Sequence, residues 1–406
     1  MAKRWLSVAL VAVALGGTAS AQNPYLPNGG QPTVMPEPIP YSVSAMNQAG
    51  PAQAPAHPAD PNAPPELPGN LPNAWAEDLP TDPAAVYFSV GYLGYQRQRL
   101  GHTPAAFFDA ASGGVDTGNL PPADSREVLN FHDINPRFSS GPRVMIGYHC
   151  GTSAIEASGF YVGQSSSSKQ IEAPGSLDVP FSSAGNVNIF PLGFEGDNGM
   201  WLQDDVVRIR LQTALGSGEV NYRWWLGSSS NFSWTLGIRY LDIYEKFGLY
   251  AGDDDLTVID TLGRPDPTRQ ALYQVTSHNR ILGPQLGFEY NQALNCSLAF
   301  SIMAKGAWGA NFLDVDTLLK RGDGLVGFTG QREDTIFSHL YELGFYGDFS
   351  LRENMRIRAG YNLMWVVDVA NATGQFDYNL LNHNGRERDH GSIFYHGPMA
   401  ELHILF

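Results

Sequence analysis

One pattern recurs along this chain to its last residue. Segments in which apolar and polar side chains alternate are joined by connections that are short and long in turn. In Phe232-Ser233-Trp234-Thr235-Leu236-Gly237-Ile238-Arg239-Tyr240 every even position is large and apolar, while the odd positions hold Ser, Thr, Gly and Arg. Val207, Ile209 and Leu211 alternate in the same way with Arg208, Arg210 and Gln212. So do Val144, Ile146 and Tyr148 with Arg143 and Gly147, and Ile357 to Trp365 with Arg356, Arg358 and Asn362. A period of two marks β-strands with one oily and one polar face. The segments lie at about 85–96, 138–149, 153–163, 205–223, 231–245, 274–290, 296–310, 337–349, 355–368 and 392–406. Brief connections near Cys150, Ser228, Gln292 and Arg352 alternate with long ones at about 97–137, 164–204, 246–273, 311–336 and 369–391. The last segment ends in an aromatic residue, Phe406.

Alternation of this kind predicts a closed antiparallel transmembrane β-barrel of about 10 strands, with short turns at one end and long loops at the other. A hairpin hidden in one of the long connections would raise the number to about 12. Closure leaves no strand edge without hydrogen-bond partners in lipid, so the last strand must seal against the first. Phe406 is then the expected signal to the barrel-assembly machinery. A soluble β-sandwich would show the same period with its apolar faces turned inward. Two features favour the membrane. Aromatic residues collect at strand ends, with Trp224, Phe232 and Trp234 at the turn end and Tyr240, Trp308, Phe337 and Trp365 at the loop end, as two interfacial girdles require. Connections this long are also uncommon in compact soluble domains.

The segment from Phe88 to Phe406 resembles the seventh of the outer-membrane β-barrel porin families, formerly a domain of unknown function. Carrying the resemblance are Gly91-Tyr92-Leu93-Gly94-Tyr95, Pro142-Arg143-Val144-Met145-Ile146-Gly147-Tyr148 and Ala154-Ile155-Glu156-Ala157-Ser158-Gly159-Phe160-Tyr161. Further matches are Gly218-Glu219-Val220-Asn221-Tyr222-Arg223, Leu236-Gly237-Ile238-Arg239-Tyr240-Leu241-Asp242, Gly283-Pro284-Gln285-Leu286-Gly287-Phe288-Glu289 and Arg358-Ala359-Gly360-Tyr361-Asn362. These are structural motifs. The resemblance implies a porin-like barrel and brings no substrate or catalytic site.

The N-terminus explains how such a chain reaches a bacterial outer membrane. Lys3 and Arg4, an apolar stretch from Trp5 to Leu15 and the small residues Ala19-Ser20-Ala21 fit a cleaved signal peptide over 1–21. From 22 to 83 the chain is dominated by Pro, Ala and Asn and holds more than half of its 28 prolines. It reads as a disordered linker that could reach a cell-wall or periplasmic partner. The barrel is expected over 84–406. A net charge of −15 argues against nucleic acid as a partner, and outer-membrane lipid is the partner that the apolar strand faces imply. Cys150 and Cys296 fall at different turns, too far apart around a barrel for an expected disulfide.

With the apolar faces outward, the inward faces would hold Arg143, Arg208, Arg210, Arg223, Arg239, Lys305, Arg356 and Arg358. Opposite them stand Glu219, Glu289, Glu342 and Asp348, together with Glu156, Asp368 and Glu401. Buried charges need partners, and the turn at Leu351 to Asn354 should bring Asp348 to Arg356. The leading expectation is porin-like passage of small polar solutes or ions through a narrow, charge-lined lumen. The alternative is a plugged barrel that serves as structure or displays its loops. A rim-sited hydrolase is a third reading, but His278, His383, His390 and His396 lack the spacing of a triad or metal site. Asp253-Asp254-Asp255, Asp314 and Asp316 do not match a calcium loop. No catalytic residue, cofactor or metal is expected.

Overall fold

The computed structural model describes residues 85–108, 126–181, 190–194, 200–226, 231–253, 266–380 and 390–406. The expected signal peptide and Pro-rich linker lie outside these residues. Among the described residues twelve strands form: β1 (Ala85–Arg97), β2 (Pro104–Phe108), β3 (Arg126–Asn130), β4 (Ser139–Cys150), β5 (Ser153–Asp178), β6 (Asp204–Trp225), β7 (Phe232–Gly252), β8 (Gln270–Ala293), β9 (Leu298–Arg321), β10 (Val326–Arg352), β11 (Met355–Val369) and β12 (Gly391–Leu405). No helix among them is long and apolar enough to cross a membrane.

Ten of the twelve close a ring in the order β1-β4-β5-β6-β7-β8-β9-β10-β11-β12, all antiparallel, and β12 returns to β1. The seam runs from Tyr87 opposite Leu405 to Arg97 opposite Tyr395, and the Phe406 amide donates to the Val86 carbonyl at 2.8 Å. A hairpin does sit in the first long connection. Strands β2 and β3 pair with each other, and β2 attaches to the far end of β5 through Phe107 and Phe108 without joining the ring.

The apolar band points outward. Val220 (57% exposed) and Ile238 (61%) stand on the outer wall with Leu236, Ile146, Phe300 and Tyr361, all of them exposed. A sandwich would bury these side chains; a barrel in lipid presents them. At the turn between β4 and β5 the chain reverses through Gly151 at φ +63°, a left-handed conformation that suits glycine.

Several strands run well beyond their expected ends. β9 continues to Arg321 and β10 begins at Val326, so most of the connection expected at 311–336 is wall. β5 continues to Asp178 and β7 to Gly252, while β8 starts at Gln270. The physical reason is an inversion of polarity along the strand. On β6 near the turn end, Val220 and Tyr222 face out while Asn221 and Arg223 face in. Nearer the loop end, Val207, Ile209 and Leu211 are buried inside and Arg208 and Arg210 are exposed outside. The wall there projects past the lipid, so its outer face takes polar residues and its interior packs like that of a soluble protein.

Candidate functional site

Three layers fill the lumen. Nearest the turn end is a network of ion pairs on inward positions of the membrane-spanning strands. Arg223 on β6 donates to Glu156 on β5 at 2.8 Å and to Glu289 on β8 at 2.7 Å. The other oxygen of Glu289 accepts from Arg358 on β11 at 2.6 Å, and Arg358 also donates to Asp348 on β10 at 2.8 Å. Asp348 lies 3.3 Å from Arg356 as well, and it accepts from the Ser301 hydroxyl at 2.5 Å. The chain Glu156–Arg223–Glu289–Arg358–Asp348–Arg356 therefore spans the interior and ties together strands that are not neighbours. Separate pairs join Arg143 to Glu401 at 2.8 Å, Lys305 to Glu219 at 2.6 Å and Arg239 to Glu342 at 2.5 Å. Gln285 and Ser158 also donate to Glu219, so the carboxylates are satisfied by several donors, as buried charges require.

Above this lies an apolar belt that includes Leu93, Tyr95, Leu215, Leu241, Ile281, Leu340 and Met364. A buried ion pair, Arg97 with Glu245, stands at its upper edge. The third layer, at the loop end, is an aromatic core. Phe376, from the connection after β11, packs against Phe131, Phe247, Phe181, Tyr273 and Tyr378 with ring centroids 4.5–6.3 Å apart. Trp201 stacks edge-on against Phe181 at 4.4 Å. Phe131, Phe181, Trp201 and Phe376 all come from connecting segments, so the loops fold back and stopper the mouth.

Two voids among the described interior residues are small. A cavity beside Arg143, Glu219, Arg239 and Glu342 measures about 10 Å³, and another beside Tyr95, Arg97, Leu215 and Tyr395 is the same size. Each has room for about one water. At the turn end a wider cleft of about 270 Å³ opens between Tyr87, Ser297, Arg356 and His403.

The structure thus brings together ten of the residues expected to line a lumen: Arg143, Arg223, Arg239, Lys305, Arg356, Arg358, Glu219, Glu289, Glu342 and Asp348. Arg208 and Arg210 are a correction. They were expected inside, but they are exposed on the outer wall, because the strand that carries them has left the membrane and its apolar face has turned inward. The apolar residues change parity along this strand, odd at Val207, Ile209 and Leu211 and even at Val220 and Tyr222, while even positions stay outward throughout, so taking every apolar position as outward puts the two arginines on the wrong face.

The girdle aromatics face outward on the wall. Trp234 meets Phe288 at 6.1 Å and Phe232 meets Tyr290 at 4.7 Å near the turn end, opposite Trp224 in register. Farther up, Trp308 meets Tyr341 at 6.3 Å, which in turn meets Trp365 at 6.3 Å; Phe337 and Tyr240 are exposed at similar height. Sequence reasoning missed the stopper aromatics, which sit in connections without periodicity. It also missed Tyr87, whose hydroxyl donates to Glu156 at 2.6 Å.

Of the rim histidines, His278 bonds Asp242 at 2.6 Å and His396 bonds Tyr361 at 2.6 Å, both on the outer wall; His383 lies outside the described residues. Asp253 pairs with Arg269 at 2.8 Å, and Asp254 and Asp255 lie outside the described residues. Asp316, outward beyond the lipid band, has its carboxyl raised above the usual range by partial burial and by Asp314 and Glu333. Among the described residues no group of three or more His, Cys, Asp or Glu is placed to hold a metal ion. Cys150 and Cys296 are both free and exposed.

No curated protein matches this sequence. Solved structures similar to the chain include the outer membrane protease OmpT from Escherichia coli, at 13% identity over 80% of this chain and 97% of that one, with a TM-score of 0.38. A FadL homologue from Pseudomonas aeruginosa follows at 12% identity, covering 82% and 92%, with a TM-score of 0.28. The P. putida toluene transporter TodX stands at 10% identity, 82% and 92%, and 0.28. The family described as putative beta barrel porin-7 matches residues 109–388. The chain belongs to that family, and with it to the β-barrels of the bacterial outer membrane.

Proposed function

We propose that this protein is a sealed outer-membrane barrel, a structural and display element whose lumen does not conduct while the stopper is seated. The observation that carries this reading is the packing of the interior, among the described residues, by ion pairs, an apolar belt and an aromatic core. A hydrated ion needs an aqueous path, and a ring of ten strands leaves an interior that side chains can fill. The reading assigns no turnover, so no residue is given a catalytic role.

Porin-like passage, which the family description suggests, is the second reading. It is favoured by one feature: the loop-end stopper is built from connecting segments and not from the wall alone, so it could be displaced without breaking the ring. In that event Arg239, Lys305, Glu219 and Glu342 would be the charges that a passing ion meets. Single-channel conductance of residues 22–406 in a planar bilayer separates the two. The sealed reading expects a folded, inserted and silent barrel. Steady openings that scale with salt would overturn it, and loss of ion selectivity in Arg239→Gln would then locate the path.

A further inference from the structure

The charges that turned up on the outer wall make a site of their own. Arg208 and Arg210 on β6 and Lys246 on β7 border a groove of about 310 Å³ on the outside of the barrel. Gln212, Gly248 and Tyr250, with Leu272 and Gln274 on β8, complete its lining. Among the described residues none of these three cations stands in an ion pair. Arg208 donates to Gln170 and lies over the Tyr250 ring, 5.4 Å from its centroid. Arg210 donates to the Ser166 hydroxyl at 2.9 Å. The acidic neighbour on β5, Glu172, is held by Gln170 and not by either arginine. In a protein of net charge −15, three cations without counter-charges around one groove call for an anion.

We propose that this groove binds the phosphorylated oligosaccharide headgroup of an outer-leaflet lipid. Two guanidinium forks and an ammonium match the oxygens of phosphate groups. The amides of Gln274 and Gln212 suit sugar hydroxyls, and the Tyr250 ring offers an apolar surface with a polar tip. Position selects the source. The groove faces sideways, towards the lipids that surround the barrel, and not up into the medium. Height selects the class. Lys246 and Tyr250 follow the interfacial Tyr240 on the same strand, at roughly 15–25 Å above it for a tilted strand rising ~3.3 Å per residue. A simple phospholipid headgroup extends only about 5–8 Å beyond the hydrocarbon. A sugar-bearing headgroup with phosphates on its saccharides reaches the groove.

The test measures binding of the full chain, in detergent, to a rough-type lipopolysaccharide with phosphorylated core sugars. The comparison probes are its dephosphorylated form, phosphatidylglycerol vesicles and inorganic phosphate. The expected result is binding of the phosphorylated glycolipid at least about tenfold tighter than of the dephosphorylated one, weakening as salt rises. The double substitution Arg208→Gln and Arg210→Gln should lose at least that tenfold. Gly248→Phe should lose it too while leaving every charge in place: a Cβ at Gly248 would meet the Leu272 side chain at 3.5 Å and the Tyr273 carbonyl oxygen at 4.0 Å, both ordinary contacts, so the ring can enter the groove without disturbing the wall. Heat-modifiable gel mobility confirms that each variant is folded. Equal affinity for the dephosphorylated glycolipid, or unchanged affinity in both folded variants, would overturn the proposal. Equal binding of phosphatidylglycerol would overturn the saccharide, and full competition by millimolar phosphate would make it a site for soluble anions.

Discussion

At the scale of single residues, Glu289 does the most to hold the lumen together, because its two oxygens serve different arginines from opposite directions, Arg223 and Arg358. Removing it leaves two buried guanidinium groups, each with one fewer counter-charge. Breaking a buried pair in this way costs about 3–5 kcal/mol, whereas an exposed pair is worth under about 1. Glu289→Ala should therefore lower the temperature at which the barrel loses its compact, heat-modifiable form, and Glu289→Gln should lower it less, since the amide still accepts one donor. A melting temperature equal to that of the unchanged protein would mean that the network is dispensable. Arg358 is tied down by the same logic from two sides, by Glu289 and by its direct register partner Asp348.

At the scale of the strand, the telling feature is the reversal of faces. Outward Ile238 lies in the lipid band, and outward Gln212, one strand over, lies beyond it. An arginine in place of Ile238 should cost about 2–4 kcal/mol of folding free energy in lipid vesicles, and one in place of Gln212 about 0–1. Equal penalties at the two sites would show that the band is misplaced. The same reversal sets what could be read from the chain beforehand. Ring size, strand order and the inward placement of Arg223, Glu289 and Arg358 followed from alternation, because these residues lie in the turn-end parts of their strands, where the oily face meets lipid; of the ion pairs, only Asp348 with Arg356 is legible beforehand. Arg208 and Arg210 share that parity with Arg223's outward neighbours, yet hydropathy carries no label for the medium outside the wall. Phe131, Phe181 and Phe376 were illegible for another reason: a side chain in an aperiodic connection gives no sign of folding back until the far strands are in place.

For the whole molecule, two interiors of opposite character sit in one ring, polar where the surroundings are oily and apolar where they are water. The aromatic core at the loop end is centred on Phe376 and the ion-pair network on Glu289, with the belt of Leu93, Leu215 and Leu241 between them. Phe376→Ala should remove about 3–5 kcal/mol of packing, felt locally. Hydrogen exchange should quicken at Phe247–Leu249 and Tyr273–Val275 and stay slow at the turn ends of the same strands. Quickening all around the ring would show that the layers melt as one. The join between β1 and β12 has a consequence for how the ring comes into being. It is a clasp between stretches more than 300 residues apart, and fastening a loop of that length costs about 5 kcal/mol by logarithmic scaling. Until it fastens, both bare edges would face hydrocarbon with their amides and carbonyls unmet. Entry into the bilayer and fastening of the clasp are therefore one event, and a sheet that fails to fasten is left stranded in the water on the near side.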